Sequence, residues 1–111
     1  MAKAEFIGEF EQLVLLAVLR RGADAYGVTI GKEIHRQTGR RSSRGALYVT
    51  LERLEKKGYL KSRLADSSQQ RMGRPRRYYQ LCPAAMQVLR TQRQALLSMW
   101  DGFEEELEPS S

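Results

Sequence analysis

Phe6, Phe10, Leu13, Val14 and Ala17 recur at helical spacing near the start of the chain, and Leu15, Leu16, Val18 and Leu19 fill most of the gaps between them. The pattern predicts a first helix over Gly8 to Arg21 that is apolar nearly all round. A helix of that kind is covered on more than one side, and in a small chain the second cover is another subunit. After the turn RRGADA, Asp24 offers an N-cap. Tyr26, Ile30 and Ile34 then mark the inward stripe of a second helix, Ala25 to Thr38, stopped by Gly39. In RRSSRG, Ser42 or Ser43 can cap a third helix, Arg44 to Lys57. Its buried face carries Leu47, Leu51 and Leu54, and Gly58 ends it. Two helices joined by a short polar turn, the second preceded by arginines, fit a helix-turn-helix.

The period then changes from helical to alternating. Tyr59 to Leu64 places Leu60 and Leu64 on one face and Lys61 and Arg63 on the other. Ala65 to Pro75 is polar and turn-rich, and Arg76 to Leu81 alternates again, with Tyr79 and Leu81 together. Strand, basic loop and strand behind a helix-turn-helix predict the wing of a winged helix. Pro83 suits the first turn of a last helix. Met86, Leu89, Leu96, Trp100, Phe103 and Leu107 occupy heptad a and d positions in it, with Arg93 the polar exception. Read through to Leu107, such a helix is roughly 35 Å long, more than a small domain needs to cover itself. The predicted fold is therefore mainly α with a small β-hairpin: a winged helix-turn-helix over residues 1–82, then a long C-terminal dimerisation helix and short tail over 83–111. The dimer interface is expected to draw on Leu13, Leu16, Met86, Leu89, Leu96, Trp100, Phe103 and Leu107, and Glu108 to Ser111 to fray.

Charge sharpens this picture. The chain has 111 residues and a formal charge of +6, but Lys32 to Arg77 holds 14 Lys/Arg against 4 Asp/Glu. A basic middle between acidic flanks implies an anionic partner. The single cysteine, Cys82, allows no disulfide within one chain and points to a reducing cytoplasm. No basic-then-apolar leader opens the sequence, and no apolar run reaches the ~20 residues of a membrane span. His35 and Cys82 have no neighbouring ligand types, so neither metal nor cofactor is expected. Paired carboxylates, a phosphate-binding glycine loop and a nucleophile beside a base are all missing, which argues against an enzyme.

With Leu47, Leu51 and Leu54 buried, the opposite face of the third helix carries Gly45, Val49, Glu52 and Lys56, with Tyr48 and Arg53 on the shoulders. Ser43 and Arg44 sit at its N-terminus, where phosphates are met. Residues of the first turns reach base edges, and Val49 can touch a thymine methyl. In the wing, Arg71, Arg74 and Arg76 can enter the minor groove or grip its phosphates, with Arg77 the weaker candidate. Ser43, Arg44, Gly45, Tyr48, Val49, Arg53, Lys56, Arg71, Arg74 and Arg76 are thus the candidate contacts to double-stranded DNA. Each cation also has a plainer reading, as a solvated charge on a soluble domain. The whole chain has a rival reading too, as a winged-helix adaptor that binds protein and never DNA.

The string GALYVTLERLEKKGYL, with GRPRRYYQL after it, resembles the PadR family of bacterial transcription regulators. Gly45, Leu47, Tyr48, Leu51, Arg53, Leu54, Glu55 and Gly58 match the first family motif. Gly73, Arg74, Pro75, Arg76, Arg77, Tyr78, Tyr79 and Leu81 match the second, and Tyr26-Gly27 matches the opening of the family's second helix. Two positions depart: Val49 stands where the family often has Pro, and Cys82-Pro83-Ala84-Ala85 where it often has Thr-x-x-Gly. The resemblance implies a homodimer, in the short form with one C-terminal helix, that acts on a pseudo-palindromic operator, as a repressor. It also implies that a small planar aromatic effector can lie at the dimer interface against Leu96, Met99, Trp100 and Phe103. The preferred reading of the same residues is as plain interface anchors, because methionines and aromatics at helical spacing mostly pack.

Overall fold

Three helices, a hairpin and a fourth helix follow one another in the computed structural model, which describes residues 5–65 and 75–108. Helix α1 spans Glu9–Arg21, α2 Gly27–Thr38 and α3 Arg44–Lys56. Strands β1 (Leu60–Leu64) and β2 (Arg77–Leu81) pair antiparallel, Leu60 opposite Leu81 and Leu64 opposite Arg77. Helix α4 (Pro83–Trp100) closes the order before a short 3₁₀ turn at Glu104–Leu107. Arg71, Gly73 and Arg74 of the expected wing tip lie outside the described residues.

Local chemistry explains the boundaries. The Gly8 N–H donates to the Glu11 carboxylate at 3.0 Å, closing the first turn of α1. Asp24 does not cap α2, as its sequence position suggests. It belongs to a 3₁₀ turn and its carboxylate takes the Arg21 guanidinium at 2.6 Å. The cap comes from inside the helix: Thr29 Oγ1 accepts from the Tyr26 N–H at 3.0 Å and donates its one proton back to the Asp24 carbonyl of the turn. Gly39, at φ 74°, ends α2 in the left-handed conformation that only glycine adopts without strain. Of the two candidate serines, Ser43 caps α3, its Oγ accepting from the Ala46 N–H at 3.0 Å.

One core joins all the elements. Val14, Leu15, Ala17 and Val18 of α1 meet Ile30 and Ile34 of α2, Leu47, Leu51 and Leu54 of α3, Leu60 and Tyr79 of the hairpin, and Ala85, Val88 and Leu89 of α4. Full burial of each such Leu or Ile contributes about 1.5–3 kcal/mol. The hairpin outruns this core, so Leu64, expected inward with Leu60, is 53% exposed. Tyr26, also expected inward, is half-buried and joins the sheet edge through an isolated bridge to Tyr78.

Two expectations change at the C-terminus. Helix α4 stops at Trp100 and does not run on to Leu107. Gly102 takes φ 89°, and the Phe103 N–H turns back to the Trp100 carbonyl at 2.8 Å. Its 18 residues span about 27 Å, and Phe103 and Leu107 leave the helical stripe. The first half of α4 packs on its own chain, held by Gln92, which bonds both backbone groups of Ile7. The second half stands clear: Leu96, Leu97, Met99 and Trp100 are exposed.

Candidate nucleic-acid interface

Ser43 and its cap fix where α3 begins, and the buried Leu47–Leu51–Leu54 face fixes how the helix is turned. The outward face then carries Arg44, Gly45, Tyr48, Val49, Glu52 and Lys56, all exposed. Val49 is 56% exposed, a large apolar side chain displayed in mid-helix with no internal partner to explain it. A Cβ built on Gly45 would meet nothing within 4 Å. No packing demand inside the chain requires glycine there, although glycine weakens a helix.

Tyr48 leans toward α2. Its ring occupies the space that a side chain at Gly27 would take, so Gly27 is what lets it lie there. Next to Gly27, the Tyr26 ring meets Tyr78 of β2 edge-on, with centroids 5.5 Å apart at 67°. Arg76 lies over the Tyr26 ring at 4.3 Å and Arg63 over the Tyr78 ring at 5.2 Å. The Tyr79 N–H donates to the Ala25 carbonyl at 2.8 Å. The outward face of α3, the start of α2 and the root of the wing are therefore one continuous surface.

The cations divide by partner. Glu33, only 2% exposed, is ringed by Arg20 (2.9 Å), Arg21 (3.4 Å) and Arg36 (3.3 Å), with the Gln37 amide at 3.0 Å. The Gln37 hydrogen bond, then Arg20 and Arg36, hold its carboxyl at about 2 against the opposing effect of burial. Glu11, also buried, takes Lys57 at 3.1 Å and Arg53 at 3.8 Å. Burial works against its charge, but the Gly8 N–H and these two cations outweigh it and lower its pKa. Arg40 pairs with Glu9 at 2.8 Å, and Lys56 with Glu52 at 3.5 Å. Arg77 donates to Ser62 at 2.9 Å, and Ser62 in turn to Glu55 at 2.7 Å. Arg44 has no carboxylate partner among the described residues.

The structure thus gathers Ser43, Arg44, Gly45, Tyr48 and Val49 on one face. Arg53 is drawn to the α1 side by Glu11, Lys56 is tied along its own helix, and Arg76 rests on Tyr26. Spacing along the helix could not show the Glu11 contact, because its partner lies far away in sequence. At the other end, Leu16, Leu96, Met99, Trp100, Phe103 and Leu107 are exposed, whereas Leu13 and Met86 are half-buried and Leu89 is buried within the chain itself. Cys82 is half-buried at the entry to α4. Among the described residues no helix is long and apolar enough to cross a membrane.

A family model described as the transcriptional regulator PadR-like family matches residues 15–91. The Mycobacterium tuberculosis transcriptional regulator Rv3488 is 40% identical over 93 residues, covering 79% of this chain and 80% of that protein. A PadR family transcription regulator from Clostridium difficile R20291 superposes with a TM-score of 0.71 at 25% identity, over 91% of this chain and 100% of that one. One from Eggerthella lenta does so with a TM-score of 0.64 at 27% identity, over 92% and 88%. The fold is a winged helix of the regulator class. The chain belongs to the PadR-like family of transcriptional regulators and is not an enzyme.

Proposed function

We propose that this chain is a sequence-specific DNA-binding repressor that acts as a homodimer on a pseudo-palindromic operator. The observation that carries the reading is the outward face of α3. Val49 and Tyr48 stand exposed between the Ser43 cap, an Arg44 without a carboxylate partner and a Gly45 that faces open space. Such a face suits a major groove: a cation for phosphate, a bare backbone for close approach and an apolar group for a thymine methyl. Arg76, which rests on Tyr26 at the wing root, is the proposed contact to the flanking phosphates together with Arg71 and Arg74.

The exposed apolar half of α4 supports the dimer, with the tail after Pro83 as its principal element. Leu96, Leu97, Met99, Trp100, Phe103 and Leu107 together are more than a lone monomer displays without use. Packed on the Leu16 side of a partner's α1, they would cover both exposed surfaces. Trp100 would then lie near the dyad, where a planar aromatic effector could stack on it and change the spacing of the two α3 helices.

A mobility-shift assay with genomic fragments, paired with sedimentation of the free protein, tests the proposal. Retarded fragments and a dimeric sedimentation coefficient are the expected result. A folded monomer at micromolar concentration that retards nothing would overturn it.

A further inference from the structure

We infer that the groove between α2 and α3 is a second phosphate-binding line for duplex DNA, with Lys32 and Arg41 as its cations beside Arg44; this rests on the DNA-binding reading above. The groove is open, holds about 490 Å³, and is lined by Gly27, Gly31, Lys32, His35, Arg41 and Arg44 among others. Its openness is built in. Gly27 leaves room for the Tyr48 ring, and Gly31 adds no side chain to the floor beside Leu47.

The assignment follows from the partition of charge. Arg20, Arg21, Arg36, Arg40, Arg53, Lys56 and Lys57 each meet a carboxylate. Arg63 and Arg76 cover tyrosine rings, and Arg77 donates to Ser62. Among the described residues, Lys32, Arg41, Arg44, Lys61, Arg90 and Arg93 have no carboxylate partner, but of these only Lys32, Arg41 and Arg44 share one groove, and no acidic side chain lines it. Cations that lack partners and crowd together repel one another, and a polyanion relieves that repulsion. A paired cation must first give up its carboxylate and therefore gains less. The groove runs directly beside Tyr48, so a phosphate chain lying in it continues the surface that α3 presents. Lys32 and Arg41 thus bind the backbone without reading sequence, and they displace Arg53 and Lys56 as the principal phosphate contacts of this half of the domain.

The test is fluorescence anisotropy of the full chain with a labelled mixed-sequence duplex, titrated at several salt concentrations. For Lys32→Ala/Arg41→Ala the slope of log K against log salt should be shallower by about 2 per protomer, at roughly 0.9 for each phosphate that is no longer neutralised. Affinity should fall equally for mixed-sequence and selected duplexes, with the melting temperature unchanged. Lys32→Arg/Arg41→Lys, which keeps both charges, should restore the slope, and Arg53→Ala/Lys56→Ala should alter it less than the groove variant does. If Arg44→Ala weakens binding while Lys32→Ala/Arg41→Ala leaves affinity and slope unchanged, the groove inference fails and the DNA-binding reading stands. A wild-type chain that binds neither duplex overturns both.

Discussion

The Arg76 guanidinium lies 4.3 Å from the centre of the Tyr26 ring, and this contact ties the first residues of the wing's return strand to the start of α2. Tyr26 also meets Tyr78 edge-on, and its neighbour Gly27 seats Tyr48 of α3. The Tyr26 side chain therefore joins the backbone bond from the Tyr79 N–H to the Ala25 carbonyl in holding the wing against the start of α2 and the outward face of α3.

Tyr26→Leu should remove the cation–π and edge-on interactions, together about 1–2 kcal/mol of stability. DNA affinity should fall further than stability does, because the wing root is no longer registered to α3. Tyr26→Phe keeps the ring and should behave almost as wild type in both respects. Thermal melts beside anisotropy titrations check this, and equal behaviour of the Leu and Phe variants contradicts it.

Gly45→Ala separates fold from function. Open space surrounds the position, and alanine favours the helix, so stability should rise by about 0.5 kcal/mol. DNA binding should weaken, since the added methyl stands between the backbone and the groove. Denaturant melts and a binding curve on the same preparation give both signs. A variant that is both more stable and equally tight shows that the backbone does not approach DNA there.

Acid sensitivity follows from Glu33. Its carboxyl ordinarily titrates near 4.5 and is held at about 2 in the fold, by the Gln37 amide first and by Arg20 and Arg36 after it. A lowered folded-state pKa means that its contribution is fully present above about 4.5 and is lost as the pH falls toward about 2. The wild-type melting midpoint should therefore drop more steeply across that window than the midpoint of Glu33→Gln. At neutral pH the Gln variant should be the less stable of the two, because Arg20, Arg21 and Arg36 lose their shared partner. Parallel pH profiles would exclude Glu33 from the acid response.

Helix α4 supplies a test of assembly. Leu96 is 58% exposed, so Leu96→Glu should leave the protomer folded and push the sedimentation profile from dimer to monomer. A panel of planar aromatic molecules should quench Trp100 at about one ligand per dimer and lower DNA affinity together, with Trp100→Phe as the control for interface packing. An indole that no ligand quenches leaves Trp100 as an interface anchor alone.

Local signals made much of this architecture legible. Ser43, Gly39 and Gly58 mark helix ends through their own backbone and side-chain chemistry. The Leu47–Leu51–Leu54 spacing orients α3 correctly, and alternation finds both strands to within a residue. The misses share a different cause. Asp24 looks like a cap, but Arg21 claims its carboxylate and Thr29 caps from within the helix. The heptad reads on through Gly102, where a positive φ breaks the helix although the apolar spacing continues. Above all, helical spacing places Arg53 on a shoulder of α3 but does not show that Glu11, buried at the start of α1, lies within ion-pair reach of it, a contact that no local pattern contains. Which cations are available to a ligand is decided by tertiary contacts, and the sequence shows only how many there are.

Whether the outward face of α3 reads base edges is decided most directly by selecting bound sequences from a random duplex library with wild type and with Val49→Asn. A two-fold symmetric site is expected, with half-sites about one helical turn, roughly 34 Å, apart. The substitution should change the preferred base at one symmetric pair of positions, away from thymine, and leave the rest of the site intact. Identical enriched sequences for the two proteins would contradict base reading by this face, because Val49 would then stand on a surface that meets no base.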